Sequence, residues 1–235
     1  MSNTVSPAEV ARFDALAAKW WDPDGPMRPL HRMNPARIGW IVDRIVRRFP
    51  DAGMVRILDV GCGAGLAAEA LARHGYDVLG VDAAADTIAA AEAHAAGQGL
   101  RLAYRIAAPE DLAAEGLRFP VVTALEVIEH VSDPHAFART LGALVQPGGL
   151  VFLSTLNRTA RSFLSAKVGA EYLLRWLPVG THDWRKFISP VELGTLMRQA
   201  GLRVTDVTGL VPDPLRGGWR TVRDVGVNYM LAAAR

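Results

Sequence analysis

The 235-residue sequence has a single cysteine, Cys62, so an intrachain disulfide and a cysteine-based zinc cluster are both excluded and a reducing compartment is expected. No apolar run approaches the roughly 20 residues needed to cross a bilayer. The first residues, Met1-Ser2-Asn3-Thr4-Val5-Ser6-Pro7, lack a basic start followed by an apolar stretch, so no secretory signal is expected. Charge of one sign is missing too: 26 basic residues are mixed along the chain with 24 acidic ones, for a net charge of +2. Without a basic tract to neutralise many phosphates, nucleic acid is not an expected partner. These absences predict a cytoplasmic protein, soluble or resting on the inner face of a membrane.

Half of the residues are hydrophobic and 21% are charged, a composition able to bury a substantial core. At 25.3 kDa the chain is near the upper end for one compact unit, so a single domain over residues 1–235 is expected. From Val55 onward, short β-branched runs alternate with longer Ala- and Leu-rich stretches, the rhythm of strand and crossover helix. Strands are predicted at 55–60, 77–81, 102–106, 120–125 and 150–154, then at 203–208 and 225–232. Helices are predicted at 66–74, 84–98 and 134–145, the last opened by Asp133 as a cap and by Pro134, whose missing N–H is harmless there. The fold class is therefore α/β: a doubly wound, mostly parallel sheet of seven strands with its cofactor-binding core at 53–156.

Two regions depart from that rhythm. Residues 7–48 read as mainly helical, broken by the Pro- and Gly-rich segment 22–29, giving an N-terminal arm (1–52) that either folds over the ligand edge or forms a surface layer. After the fifth strand, 158–176 reads as a long helix with no strand behind it, predicting a helical lid at 157–188. Ser189-Pro190-Val191-Glu192 then opens a further helix with a capping-box pattern, within a C-terminal section at 189–235.

The strongest chemical signal is Asp59-Val60-Gly61-Cys62-Gly63-Ala64-Gly65, where a strand ends and a helix begins. Glycines there let the backbone turn sharply and lie against a ligand, with helix N–H groups facing it. The spacing is G-x-G-x-G, and Leu66 stands where a dinucleotide motif needs its last glycine, which disfavours a dehydrogenase. Asp82 closes the second strand, where a carboxylate can accept hydrogen bonds from both hydroxyls of a ribose. A ligand-free turn with Asp82 as a helix cap is the plainer reading. It carries less weight because both features fall at the carboxyl ends of adjacent strands, the ligand edge of open α/β sheets. Cys62 reads as packing in a tight loop rather than as a nucleophile.

With these residues in hand, D-V-G-C-G-A-G followed by G-V-D resembles the first two motifs of class I methyltransferases. Four further stretches resemble the ubiquinone-biosynthesis O-methyltransferase family: F-D-A-L-A-A-K-W-W-D with L-H-R-M-N-P-A-R, A-L-E-V-I-E-H, S-T-L-N-R-T, and G-T-H-D-W-R-K-F-I. The likeness runs from Phe13 to Met230. It implies S-adenosylmethionine as co-substrate, contacted by Arg37, Gly61, Gly63, Asp82 and Leu125. Arg37 would pair with the methionine carboxylate, Gly61 lie under the amino-acid moiety, Asp82 hold the ribose, and Leu125 contribute a backbone or apolar contact. The sequence departs from the pattern at Gly226, where the family tends to have an aspartate, and at Ala108, where many class I enzymes place an acid near the adenine. Glu110 or Asp111 is the substitute expected there.

A sulfonium already carries an activated methyl group, so the protein must chiefly align an acceptor oxygen and exclude water. A phenol with a pKa near ~10, by analogy with tyrosine, is mostly protonated at neutral pH, and its phenolate is the better nucleophile. Glu126, Glu129 and His130 follow the fourth strand as E-x-x-E-H. Either they hold a divalent cation such as Mg²⁺ against catechol oxygens, which the resemblance favours, or Glu126 or His130 acts directly as base. A third reading has Glu129 and His130 merely organising the turn before Asp133.

The implied acceptor is a phenol or catechol bearing a polyprenyl tail. Basic residues of 158–186, among them Arg158, Arg161, Lys167 and Arg175, flank Phe163, Leu164, Tyr172 and Trp176, which suits an anionic membrane surface as well as simple packing. A ubiquinone-biosynthesis complex is a further partner in prospect. Two rivals remain at this level: a methyltransferase with a different small-molecule acceptor, and a catalytically silent cofactor-binding scaffold.

Overall fold

Strands covered by helices on both faces must be apolar on both sides, and here adjacent residues divide between two layers. In β1 (Arg56–Val60) Ile57 packs into one layer and Leu58 into the other. The same division separates Val121 from Val122 in β4 (Phe119–Leu125) and Phe152 from Leu153 in β5 (Val145–Leu156). The computed structural model describes residues 4–50, 53–164, 184–215 and 217–235. With β2 (Asp77–Asp82), β3 (Leu102–Ile106), β6 (Arg203–Asp213), β7 (Gly218–Val222) and β8 (Asn228–Ala234), the strands form one sheet in the order β3-β2-β1-β4-β5-β8-β6-β7. The first five in that order are parallel, and the last three join antiparallel.

One layer is built from α5 (Pro109–Ala114), α6 (Pro134–Leu144) and α8 (Pro190–Gln199), which supply Leu112, Phe137, Leu141 and Leu193. The other holds α2 (Arg28–Arg48) and α3 (Leu66–Arg73), with Ile38, Ile41, Ala68 and Leu71 facing the strands. The expected helix starts are present: Asp133 accepts the Ala136 N–H at 3.0 Å, and Ser189 and Glu192 form a reciprocal capping box. Helix α4 (Ala85–Ala95) differs. Its cap residue, Ala84, has no side-chain acceptor, and Asp14 at the end of α1 (Pro7–Asp14) accepts the N–H groups of Asp86 and Thr87 at 3.0 and 3.1 Å instead.

The α/β class and the mostly parallel sheet agree with expectation, but the strand count is eight rather than seven. The additional strand is β7, and β6 runs on to Asp213 to pair with it. Pro212, Pro214 and the Gly217-Gly218 pair hide this hairpin by reading as loop. Pro212 is tolerated because β6 pairs with β8 only as far as Leu210, so its missing N–H breaks no ladder on that side. The final strand starts at Asn228 rather than 225, because Asp224 Oδ1 accepts the Gly226 N–H at 2.8 Å and closes a turn there.

After β5 the chain enters the short helix α7 (Ala160–Ser162), capped by Thr159. Most of the predicted 158–176 helix and its lid lies outside the described residues. Among the described residues no helix is long and apolar enough to cross a membrane.

Candidate active site

Strand order reverses between β1 and β4, and open α/β sheets bind ligands in the crevice at such a point. The glycine loop leaves β1 into this crevice. Gly61 and Gly63 have φ of 65° and 54°, and added Cβ atoms would lie 2.6 Å from Val127 and 2.3 Å from Trp20. Both constraints, left-handed backbone and close approach, call for glycine. Asp82, at the end of β2, accepts the Gly63 N–H at 2.9 Å on Oδ2 and the Ala84 N–H at 3.0 Å on Oδ1. It thus braces the loop while facing the cavity. Burial raises its carboxyl pKa, and these N–H contacts oppose the rise.

A cavity of about 670 Å³ runs along the carboxyl edge of the sheet. Gly61, Gly63, Asp82, Leu125, Glu126, Glu129 and His130 all line it. The arm closes the opposite side with Glu9, Phe13, Leu16, Trp20 and Met27, so it folds over the ligand edge rather than forming a remote surface layer. Trp21 fixes the arm by donating Nε1–H to the Ala64 carbonyl at 2.9 Å and by stacking on His94 with ring centroids 3.4 Å apart.

Glu126 is the one non-glycine residue with positive φ (59°) among the described residues. Holding an L-residue there costs about 1–2 kcal/mol, and such strain persists where the surroundings over-determine it. Its N–H donates to the Ser154 carbonyl at 2.9 Å, Ser154 Oγ donates to its Oε1 at 2.6 Å, and Arg37 Nη1 lies 3.8 Å from that oxygen. Arg37 is 3% exposed and does not line the cavity; it sits behind Glu126, held by Asn34 Oδ1 at 3.3 Å. Its Nε and the nearby Asp59 Oδ2 are buried without protein partners. Burial lowers the Arg37 pKa and pushes that of Asp59 up to about 6.

The predicted metal cluster of Glu126, Glu129 and His130 is not assembled. Among the described residues no three His, Cys, Asp or Glu side chains are grouped to share an ion. The segment is a turn, not a helix whose i, i+3 and i+4 side chains would share one face, and each of the three has a separate hydrogen-bonding partner. Glu126 is directed to Ser154 and Arg37, Glu129 inward to Thr155 Oγ1 at 2.9 Å, and His130 to Glu9. These donors do not fit a common cation as arranged. Glu129 is buried, with Oε1 unpartnered; burial raises its pKa, and the neighbouring Glu126 charge adds to the rise.

His130 Nδ1 lies 3.1 Å from Glu9 Oε2, and Phe13 packs edge-on against the imidazole at 5.3 Å. The hydrogen bond from His130 brings the Glu9 carboxyl down to about 2. Burial works against the imidazolium, yet the Glu9 bond and the Glu129 charge outweigh it and raise the His130 pKa. Glu9 is a site residue that sequence reasoning misses. It stands 121 positions from His130 and looks like an ordinary acid in the first turn of a helix.

Neither expected adenine substitute lines the cavity, although Ala107 and Pro109 do. Asp111 accepts the Ala108 N–H at 3.0 Å at its own helix start, and Glu110 accepts from Thr4 Oγ1 at 2.6 Å. Cys62 is buried, its thiol pKa raised well above the usual value by burial, consistent with packing.

Fold and site together define an S-adenosylmethionine-dependent methyltransferase. The model of the methyltransferase domain family matches residues 29–207. A ubiquinone biosynthesis O-methyltransferase from Azorhizobium caulinodans is 52% identical over 97% of this chain and 93% of its own length. Its counterpart from Methylobacterium nodulans is 52% identical over 100% of this chain and 99% of its own. Among solved structures, magnesium protoporphyrin IX methyltransferase from Synechocystis PCC 6803, with bound S-adenosylmethionine, shares the fold with a TM-score of 0.64 and 16% identity, covering 100% of both chains. The chain belongs to the ubiquinone biosynthesis O-methyltransferase family.

Proposed function

We propose that this chain transfers the methyl group of S-adenosylmethionine to a phenolic or catechol oxygen of a polyprenylated ubiquinone precursor, of the 2-polyprenyl-6-hydroxyphenol or 3-demethylubiquinol type. The observation that carries this reading is the single cavity joining Asp82 and Gly63 to Glu126 and His130. The names of the relatives supply the acceptor class. The residues fit the co-substrate: Asp82 at the cavity wall can take the ribose hydroxyls, Gly61 and Gly63 leave room for the amino-acid moiety, and Leu125 offers an apolar contact. Arg37 Nε and Asp59 Oδ2 are an unpartnered donor and acceptor matching a carboxylate and an ammonium group. Arg37 and Asp59 are set back from the cavity wall, with Glu126 Oε1, on that wall, 3.8 Å from Arg37 Nη1.

The bound sulfonium supplies the methyl group; this chain supplies alignment and a base. With Nδ1 directed to Glu9, His130 keeps Nε2 for the acceptor hydroxyl. The phenolic proton passes to Nε2 as the oxygen lone pair forms the new O–CH₃ bond. The electrons of the broken C–S bond return to sulfur, neutralising its charge. Glu126 is the alternative base.

Methyl transfer to a panel of catechols and simple phenols, with and without chelator, tests the reading. Product from catechols in the presence of chelator supports it. Product only from unrelated acceptors points to a different specificity, and tight co-substrate binding with no product points to a silent scaffold. The basic and apolar residues of 158–186 support docking on an anionic membrane surface, and sedimentation with anionic liposomes is the corresponding measurement.

A further inference from the structure

The cavity extends further along the sheet than a nucleoside and an aromatic ring require. The residues that suit the co-substrate lie at the ends of β2, β1 and β4. Beyond β4 the cavity continues past β5, β8 and β6 to β7, and at about 4.8 Å per strand the step from β4 to β6 adds about 14 Å. The wall of this extension is Met33, Leu156, Leu210, Val211, Pro212 and Trp219, with Asn228 and the Asp224-paired Arg161 as polar members. It ends on the β6–β7 hairpin, whose tip carries Leu215 at 95% exposure.

We infer that this extension is the binding site for the isoprenoid tail of the acceptor, and that Trp219 and Val211 set the preference for tailed over tail-free substrates. The inference rests on the acceptor class proposed above. An acceptor oxygen facing the sulfonium at β4 has the nucleoside on its β1–β2 side, so a long substituent on the ring must leave toward β5 and the hairpin. An aliphatic chain there gains by removing the apolar wall from water, and it offers no hydrogen bond that the wall would need to satisfy. Trp219 packs on the same layer as Leu210 and Met230, so its ring is a fixed surface.

The test compares the full-length protein with Trp219→Ala and Val211→Asp on two catechols, one bearing a farnesyl chain and one without a tail. Each variant should lower the ratio of kcat/KM for the farnesylated catechol to that for the tail-free one by about tenfold or more. Two variants are used because Val211→Asp places a charge in the groove without truncating Trp219. A separate calorimetric titration with farnesol, which has the tail but no ring, should show binding to the parent protein and loss of binding in Val211→Asp. An unchanged substrate ratio together with unchanged farnesol binding would overturn the inference. If the parent turns over neither catechol yet binds farnesol in a Val211-dependent way, the acceptor assignment fails while the tail site stands.

Discussion

Replacing Asp82 with Asn tests whether this carboxylate organises the nucleoside site. Both of its oxygens already accept backbone N–H groups, from Gly63 and from Ala84. An amide has one acceptor oxygen, so in either orientation Asp82→Asn sets its NH₂ against one of those N–H donors. At least one hydrogen bond to a charged group is lost, worth about 1.5–3 kcal/mol, and the negative charge that would receive the ribose hydroxyls is lost with it. A loss of about 2 kcal/mol corresponds to about thirtyfold weaker binding. Isothermal titration of S-adenosylhomocysteine into parent and variant measures this directly, with far-UV circular dichroism confirming that both are folded. Affinity within about threefold of the parent in a folded variant, well below that figure, would mean that Asp82 does no more than close the loop.

Glu9→Gln removes the partner that raises the His130 pKa, so the imidazole becomes available as a base at lower pH. The acidic limb of kcat/KM should move to lower pH and the plateau fall by about tenfold, a fraction of what general bases contribute; a stationary limb in the pH–rate profile contradicts the His130 assignment. Because the Glu9 carboxyl is held near 2 against an ordinary 4.5, its contribution to stability is present above 4.5 and lost as pH falls toward 2. The parent should therefore lose more melting temperature than Glu9→Gln across that interval. Asp133→Ala deletes the acceptor for the Ala136 N–H and should cost about 1 kcal/mol in urea unfolding, with methyl transfer retained at low temperature.

Local features were legible because their causes are local. The glycine loop, the Asp133 cap and the Ser189 box each rest on residues a few positions apart, Asp82 follows from the end of its own strand, and each stands where expected. The β6–β7 hairpin escaped because its prolines and glycines give the same signal as a loop, and only pairing across the sheet distinguishes the two. In the site, the metal reading came from the residue types of E-x-x-E-H and from the family resemblance, whereas the turn from Glu126 to His130 brings all three to one cavity but pairs them with Ser154, Thr155 and Glu9. Glu9 and Asp14 act on residues far along the chain, and nothing in an amphipathic N-terminal helix announces such partners.

The borrowed acceptor at the head of α4 ties two parts of the molecule together. Because Asp14 serves Asp86 and Thr87, any swing of the first helix away from the cavity to admit a substrate must leave those amides bare. Missing helix caps cost about 1 kcal/mol, which adds to the Glu9–His130 and Thr4–Glu110 contacts in holding the first helix over the entrance. The same link means that a truncation removing residues before Asp22 would loosen the segment directly following Asp82, far from the cut.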